Sequence, residues 1–257
     1  MSLAVEFINV TKHFKNASYN AVDDVNLEVE QGELITILGT SGCGKTTLLK
    51  MVNRLYEPDE GEIRLFGENI KNSDPVQLRR KIGYVIQQVG LFPHMTVYDN
   101  IATVPKILKW DKKQIDARVE ELLLLVDLDP KEFKNRYPAQ LSGGQQQRIG
   151  LARALAVKPE LMLLDEPFGA IDAINRNNLQ NELKRIHCKY QKTFLFVTHD
   201  INEAFKLGTK VLIMDKGQVQ QFDTPVNISR KPANEFVNFL LESAINSNQS
   251  WSLGDGI

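Results

Sequence analysis

The 257-residue sequence predicts an α/β fold in which a core of strands and helices is interrupted by a helical lobe. Three observations carry this. Short β-rich runs separated by glycine and polar turns fill the first third. A helical pattern takes over from about Thr96 to Lys158, and strand-like runs alternating with helical ones return from Leu161 onward.

The elements follow in order. Ala4–Val10, Val25–Val29, Leu34–Leu38 and Glu62–Phe66 read as strands. Val25, Leu27 and Val29 alternate with polar residues, as a half-buried strand does, whereas Leu34–Leu38 is nearly continuous apolar, the mark of a strand covered on both faces. A helix is predicted over Thr47–Arg54, and Ile82–Ile86 is a further apolar run. Lys112–Val126 places Ile115, Val119, Leu122, Leu123 and Val126 on one helical face. Another helix runs Gly144–Val157 and must stop before Pro159, because the residue preceding a proline is pushed out of α geometry. Strands are expected at Leu161–Leu164, Phe194–Val197, Val211–Met214 and Gln218–Phe222, with helices at Arg176–Tyr190 and Ile201–Leu207. A last helix, Ala233–Ser243, precedes a polar tail expected to fray. A single domain over 1–243 follows, with its core at about 1–90 and 159–243, its lobe at about 91–158 and its tail at 244–257.

Lys plus Arg number 31 against 32 Asp plus Glu, so the basic footprint of a nucleic-acid binder is missing. No run approaches the roughly 18–20 apolar residues of a membrane-spanning helix. The start, MSLAVEFINV, lacks the basic and long apolar regions of a secretory signal, and two cysteines give no disulfide framework. A soluble cytosolic chain is the expectation.

The segment GTSGCGKTT, Gly39–Thr47, fits G-x-x-x-x-G-K-[ST] between an apolar strand and a helix, the context that motif needs. Gly39, Gly42 and Gly44, with Thr40, Ser41 and Cys43 between them, let successive N–H groups converge on phosphate oxygens. The positive helix start adds to this, Lys45 reaches the β- and γ-phosphates, and Thr46 offers a hydroxyl to Mg²⁺. Cys43 reads as a small loop filler rather than a nucleophile, since no base lies near it in sequence. Leu161–Pro167, LMLLDEP, is an apolar strand ending in two carboxylates that face different ways. Asp165 suits Mg²⁺, directly or through water, and Glu166 suits the base that orients and deprotonates an attacking water. A surface acidic turn is the alternative for this segment alone.

LSGGQ, Leu141–Gln145, is more telling. Ser142 and Gln145 form a capping-box pattern for the following helix, which by itself is a full structural explanation. Yet Gly143 and Gly144 cost helix stability and gain nothing in a simple cap. They make sense if a phosphate must come close to this helix start, and that phosphate would belong to another subunit's nucleotide.

GTSGCGKTT, LSGGQQQR, LLLDEP and VTHD, in this order and spacing, resemble the ATP-binding cassette subunit of ABC transporters, over about Ala4–Phe239. The resemblance implies a P-loop NTPase (RecA-like) core with an N-terminal antiparallel β subdomain and an inserted α-helical lobe. It implies ATP and Mg²⁺, and a homodimer of cassettes formed on ATP binding. Each ATP then lies between one phosphate loop, Gly39–Thr47, and the Ser142, Gly143, Gly144 and Gln145 of the other subunit. Gln87 is similar to the glutamine that touches Mg²⁺ and the attacking water, its alternative being a polar turn residue. His199 is similar to the histidine that contacts the γ-phosphate, so the implied catalytic set is Glu166, His199 and Lys45, with Thr46, Gln87 and Asp165 at the metal. Asp200 and Glu203 read separately as a helix cap and its box partner. Phe14 resembles the aromatic that stacks on adenine, with Tyr19 as its rival. Phe168–Asp172, FGAID, resembles the segment that crosses the dimer, with Ile171 where leucine is commoner.

QQVGLFPHMTVYDNIATVPKILKW, DEPFGAID and QFDTPVNISRKPANEFV are similar to importer ATPases for glycine betaine, choline and other quaternary amines. That branch implies membrane-spanning permease subunits engaged near Phe92–Asn100, indirectly an extracytoplasmic solute-binding protein, and a place on the cytoplasmic face of the cell membrane. Many of its members add paired regulatory CBS domains after the cassette; with the sequence ending at 257, regulation by such a module in cis is not expected. The alternatives are an importer ATPase for amino acids or another small solute, a cassette protein acting on ribosomes or DNA, and a P-loop kinase or inert nucleotide module. LSGGQ argues against the kinase and Glu166 against the inert module.

Overall fold

The computed structural model describes residues 2–15, 17–87, 90–169 and 173–249. The chain runs β1 (Leu3–His13), β2 (Asn20–Glu30), β3 (Leu34–Gly39), α1 (Lys45–Val52), β4 (Glu60–Leu65), β5 (Glu68–Asn69), α2 (Pro75–Arg80) and β6 (Ile82–Val85). It continues through α3 (Val97–Ile107), α4 (Lys112–Leu125), α5 (Pro130–Phe133), α6 (Gly143–Leu155), β7 (Leu161–Asp165), α7 (Ala173–Tyr190) and β8 (Thr193–Val197). The last elements are α8 (Ile201–Leu207), β9 (Lys210–Asp215), β10 (Gln218–Asp223), α9 (Pro225–Arg230) and α10 (Glu235–Gln249). Two compact units result, Met1–Ser73 with Leu195–Ile257, and Asp74–Phe194.

The first unit contains an antiparallel sheet in the order β2-β1-β4-β5. Its register pairs Val5 with Val29 and Leu65, and Phe7 with Leu27 and Ile63, so the apolar halves of three alternating strands are buried together. A second set of strands is built on β3, which is buried along its whole length and runs parallel to β9, itself antiparallel to β10. Leu38, Ala204, Val211, Ile213, Ile228 and Val237 form the core beneath α8, α9 and α10.

In the second unit β6 pairs in parallel with β7. Helix α4 buries Ile115, Val119, Leu122 and Leu123, the face its periodicity predicts. Its Arg118 is also buried, donating from Nε to Ala156 O at 3.1 Å and from Nη2 to Leu155 O at 2.7 Å. Those carbonyls end α6, so a cation closes the negative end of that helix.

Element types agree with the sequence, and some boundaries differ. Helix α1 starts at Lys45 rather than Thr47, because Gly44 caps it at φ 105°, and it ends at Val52, short of Arg54, which is left-handed at φ 49°. Helix α10 runs to Gln249 rather than stopping at Ser243, since nothing between them is a glycine or proline that would end it. The fraying expected of the tail falls, from Ser250 onward, outside the described residues. Among the described residues no helix is long and apolar enough to cross a membrane.

Arg118→Met should cost about 2–4 kcal/mol, because two buried carbonyls lose their donors while the stem's packing is kept. Chemical denaturation measures this; a loss below about 0.5 kcal/mol, the level of an ordinary surface change, would mean that water replaces the guanidinium.

Candidate functional site

In the first unit the phosphate loop leaves the end of β3 and enters α1. Gly39 is fixed by crowding: a Cβ there would lie 2.2 Å from Met214 O and 2.7 Å from Cys43 Sγ. Gly44 is fixed twice, by its left-handed φ and by Ala21 O, 2.1 Å from where a Cβ would sit. Between them Thr40, Ser41 and Gly42 are exposed at the crest, while Cys43 and Gly44 are buried. Lys45 turns back over the loop, its Nζ donating to Gly39 O and Thr40 O at 2.8 Å each, with Cys43 Sγ at 3.9 Å. Burial pushes the Cys43 thiol above its usual range despite the nearby ammonium, so it stays a neutral thiol, which agrees with a filler and not with a nucleophile. Thr46 and Thr47 follow, half-buried, in the first turn of α1.

Two other predicted residues belong to this unit. His199 is exposed immediately after β8, where Thr198 N donates to Ile37 O of β3 at 3.1 Å. Asp200 caps α8, accepting from Asn202 N at 2.8 Å and Glu203 N at 3.4 Å. The expected box partner differs: Asp200 N donates to Thr198 Oγ1 at 3.0 Å, and Glu203 instead accepts the Thr198 hydroxyl at 2.7 Å. Glu203 is buried, and a buried carboxylate takes a short O–H donor in preference to a shared amide. Phe14 is half-buried with its ring 5.2 Å edge-on from Tyr56 and Lys12 Nζ 5.7 Å from its centroid; Tyr19 is 59% exposed.

In the second unit, the register of β6 against β7 pairs Val85 with Leu164, so Gln87 and Glu166 each lie two residues past a matched pair. Gln87 Nε2 donates to Glu166 Oε2 at 3.0 Å. Asp165, the last residue of β7, is buried, whereas Glu166 is half-buried in a turn and adopts φ 45°. A left-handed non-glycine residue is a local cost that suits a position where the side chain must be aimed. Of Phe168–Asp172, Ala170, Ile171 and Asp172 lie outside the described residues. The loop Phe92–Thr96 is tied down by buried Asn100, whose side chain donates to Phe92 O, Met95 O and Thr96 O at 2.9–3.2 Å and accepts from Phe92 N at 2.8 Å.

The capping box at α6 forms as predicted: Gln145 N donates to Ser142 Oγ at 3.3 Å, and Ser142 N to Gln145 Oε1 at 3.0 Å. Ser142 and Gly143 are exposed, Gly144 and Gln145 half-buried, and a Cβ on Gly143 would meet no atom of this chain within 4 Å. The glycine is therefore not demanded by internal packing. Ser142, Gly144 and Gln145 line a cavity of about 640 Å³ with Arg148, Glu182 and Arg185.

Sequence reasoning missed that last trio. Glu182 is 4% exposed, 3.3 Å from Arg148 Nη1 and 3.9 Å from Arg185 Nη2, and neither of its oxygens accepts a hydrogen bond. The two guanidiniums donate instead to Val126 O and Leu125 O, at 2.8 and 2.7 Å. The available signal was a charged residue inside the apolar spacing Leu179, Leu183, Ile186. Burial, aided by Asp127 and opposed by the arginines, pushes Glu182 up to about 7. The folded chain thus holds this proton more tightly than the unfolded one, and stability falls as pH rises from about 4.5 to about 7. Glu182→Gln should match the wild type near pH 4.5 and exceed it at pH 8 by one to a few kcal/mol, read by thermal unfolding across that range. An unchanged difference at both pH values would mean that Glu182 titrates normally.

Among the described residues no three His, Cys, Asp or Glu side chains gather to hold a metal by themselves. Thr46, Gln87 and Asp165 carry a hydroxyl, an amide and a carboxylate, each a hard-oxygen donor of the kind Mg²⁺ takes.

Residues 22–169 match the family described as ABC transporter. The chain is 56% identical over 229 residues to the choline transport ATP-binding protein OpuBA of Bacillus subtilis, covering 89% of this chain and 60% of that protein. It is 49% identical over 233 residues to the glycine betaine uptake system ATP-binding protein YehX of Escherichia coli, covering 91% and 75%. Among solved structures it is similar to the dimeric post-hydrolysis state of the ATP-binding cassette MJ0796 bound to ADP and Pi, with a TM-score of 0.77 and 35% identity over 86% of this chain and 98% of that one. The chain spans about 60% of the length of the choline transport protein. With its phosphate loop, its LSGGQ helix and a family match over more than half its length, the chain belongs to the ABC transporter family.

Proposed function

We propose that the chain binds and hydrolyses ATP and so drives an importer of a quaternary-amine osmoprotectant such as glycine betaine or choline. The observation that carries the ATPase reading is the phosphate loop, where Gly39 and Gly44 press against backbone carbonyls and the Lys45 ammonium spans the turn. The choline transport and glycine betaine uptake proteins to which the chain is similar support the substrate class. An importer ATPase for another small solute is the second reading, since the sulfate/thiosulfate import protein CysA of Pseudomonas aeruginosa is 45% identical over 93% of this chain.

In this reading Lys45 exchanges its two loop carbonyls for phosphate oxygens and neutralises charge that grows in the transition state. Glu166 takes the proton of the attacking water, with Gln87 orienting its carboxylate, and His199 contacts the γ-phosphate. Thr46, Gln87 and Asp165 would hold Mg²⁺, which when bound offsets phosphate charge. Phe14 stacks on the base after parting from Tyr56, or exposed Tyr19 takes that place. Residues 142–145 meet the nucleotide of a second copy, and Gly143 leaves room for that phosphate. The dimer, the permease reached through Phe92–Asn100, a solute-binding protein and a peripheral place on the cytoplasmic face of the membrane complete the proposal. So does the division into a core, about 1–90 and 159–243, a lobe, about 91–158, and a tail, 244–257.

Glu166→Gln should keep ATP affinity and lose at least 100-fold in turnover, the scale of a lost general base. It should also give an ATP-dependent dimer in size-exclusion chromatography; wild-type turnover would remove Glu166 from the base role. Ser142→Arg should leave ADP binding to the monomer within about twofold, a shift of under half a kcal/mol, while abolishing that dimer. Loss of monomer binding would place Ser142 at its own chain's nucleotide instead. Capture of a multi-spanning permease from native membranes by the Glu166→Gln dimer, with betaine or choline uptake lost when that permease is deleted, tests the transport reading as a whole.

A further inference from the structure

The turn between β9 and β10 is hydrogen-bonded to the phosphate loop. Thr40 Oγ1 donates to Asp215 Oδ1 at 3.2 Å, and Gly217 N donates to Cys43 O at 3.1 Å. The turn is anchored in its own right. Asp23 N donates to Gly217 O at 2.9 Å, and the Asp23 carboxylate accepts from Gln218 Nε2 at 2.8 Å and Asn20 Nδ2 at 2.7 Å. A Cβ on Gly217 would lie 2.7 Å from Asn20 O, so the turn is pressed onto the start of β2.

These contacts hold the loop by its carbonyls. In a trans peptide the C=O of one residue and the N–H of the next point opposite ways. Committing Cys43 O to Gly217 therefore turns the Gly44 N–H away from that turn, and committing Gly39 O and Thr40 O to Lys45 turns the Thr40 and Ser41 amides away from the ammonium. Thr40 is gripped at both ends, its carbonyl by Lys45 and its hydroxyl by Asp215.

We propose that Asp215 is a positioning residue for the phosphate loop: through Thr40 it presets the amides that receive nucleotide phosphates. The inference rests on the nucleotide reading of Gly39–Thr47. Asp215 carries a negative charge next to a loop built for anions, and that charge opposes phosphate binding; it also helps raise the Cys43 thiol. The contribution has to come from the hydrogen bond and not from the charge. Asparagine keeps an acceptor for the Thr40 hydroxyl without the charge, and alanine keeps neither.

The test is ADP and ATP affinity of the full chain by calorimetry, with steady-state ATPase alongside. Asp215→Ala should weaken both nucleotides about threefold to tenfold, the scale of one lost hydrogen bond. The KM for ATP should rise by the same factor while kcat stays within about twofold, because the loop grips ground and transition states alike. Asp215→Asn should bind as tightly as the wild type or tighter. Thr40→Val, at an exposed position where folding is not at risk, should lose at least as much as the alanine variant, since it removes the same hydrogen bond and keeps the opposing charge, and Asp215→Ala with Thr40→Val together should lose no more than Thr40→Val alone. Wild-type affinity in Thr40→Val, or equal losses in the alanine and asparagine variants, would overturn the assignment to Asp215. A wild-type chain that binds neither ADP nor ATP would overturn the nucleotide reading and this inference with it.

Discussion

Backbone amides can surround an anion only if the chain curls tightly enough for several N–H groups to face inward, and tight curling brings backbone onto backbone. In this chain the contact points are Gly39 on Met214 O and Gly44 on Ala21 O, where any side chain would overlap a carbonyl by more than an ångström. Those two contacts require β9 and β2 to be where they are, which in turn requires the buried ladder of β3 against β9 and the alternating apolar face of β2. The long apolar strands are thus a scaffold for a nine-residue loop in which Cys43 is the one apolar side chain buried. Lys45 completes the arrangement by supplying a cation to carbonyls that the curl has left pointing together.

The start of α6 shows how a sufficient local explanation can still leave a residue unexplained. Ser142 and Gln145 satisfy the first amides of the helix reciprocally, which is worth on the order of 1 kcal/mol and needs no ligand. An alanine at 143 would keep that box and improve the helix, and no atom of the chain stands in its way. A residue that lowers helix stability without relieving a clash points to something outside the chain. Beneath it, Arg148 and Arg185 close the end of α4 while flanking a carboxylate that neither hydrogen-bonds. The helix carrying LSGGQ is therefore seated on a cluster that is not fully satisfied, a further departure from stability within the same unit.

What the sequence made legible was set by how local each signal is. The strand before the phosphate loop, the apolar face of α4 and the box at Ser142 are written within a dozen residues each, and they appear where the periodicity and spacing put them. Short helices α2, α5 and α9 went unread, although each announces itself by a capping side chain followed by proline, at Asp74-Pro75, Asp129-Pro130 and Thr224-Pro225. Glu203 was misread because its choice between an amide and the Thr198 hydroxyl depends on burial, which spacing does not encode. Asp215 was illegible because its partner lies 175 residues away, and Glu182 because Arg148 reaches it from a different helix, α6.

Within each unit the chemistry-bearing residues stand just beyond the ends of parallel strands, and this follows from backbone accounting. A strand end leaves the ladder with unpaired amides and carbonyls, so the residues there are the first that can turn toward a ligand without breaking a sheet hydrogen bond. Gly39 ends β3 and His199 follows β8 in one unit; Asp165 ends β7 and Gln87 follows β6 in the other. Matching register then aligns side chains on neighbouring strand ends without further help, and the 3.0 Å bond between Gln87 and Glu166 is the direct product of the Val85–Leu164 pairing. Glu166 departs from strand geometry at once, at φ 45°, and that single left-handed residue separates the direction of its carboxylate from that of Asp165. In the proposed reading two adjacent acids serve a metal and a water in this way, which an uninterrupted strand would achieve only by sending one of them to the opposite face.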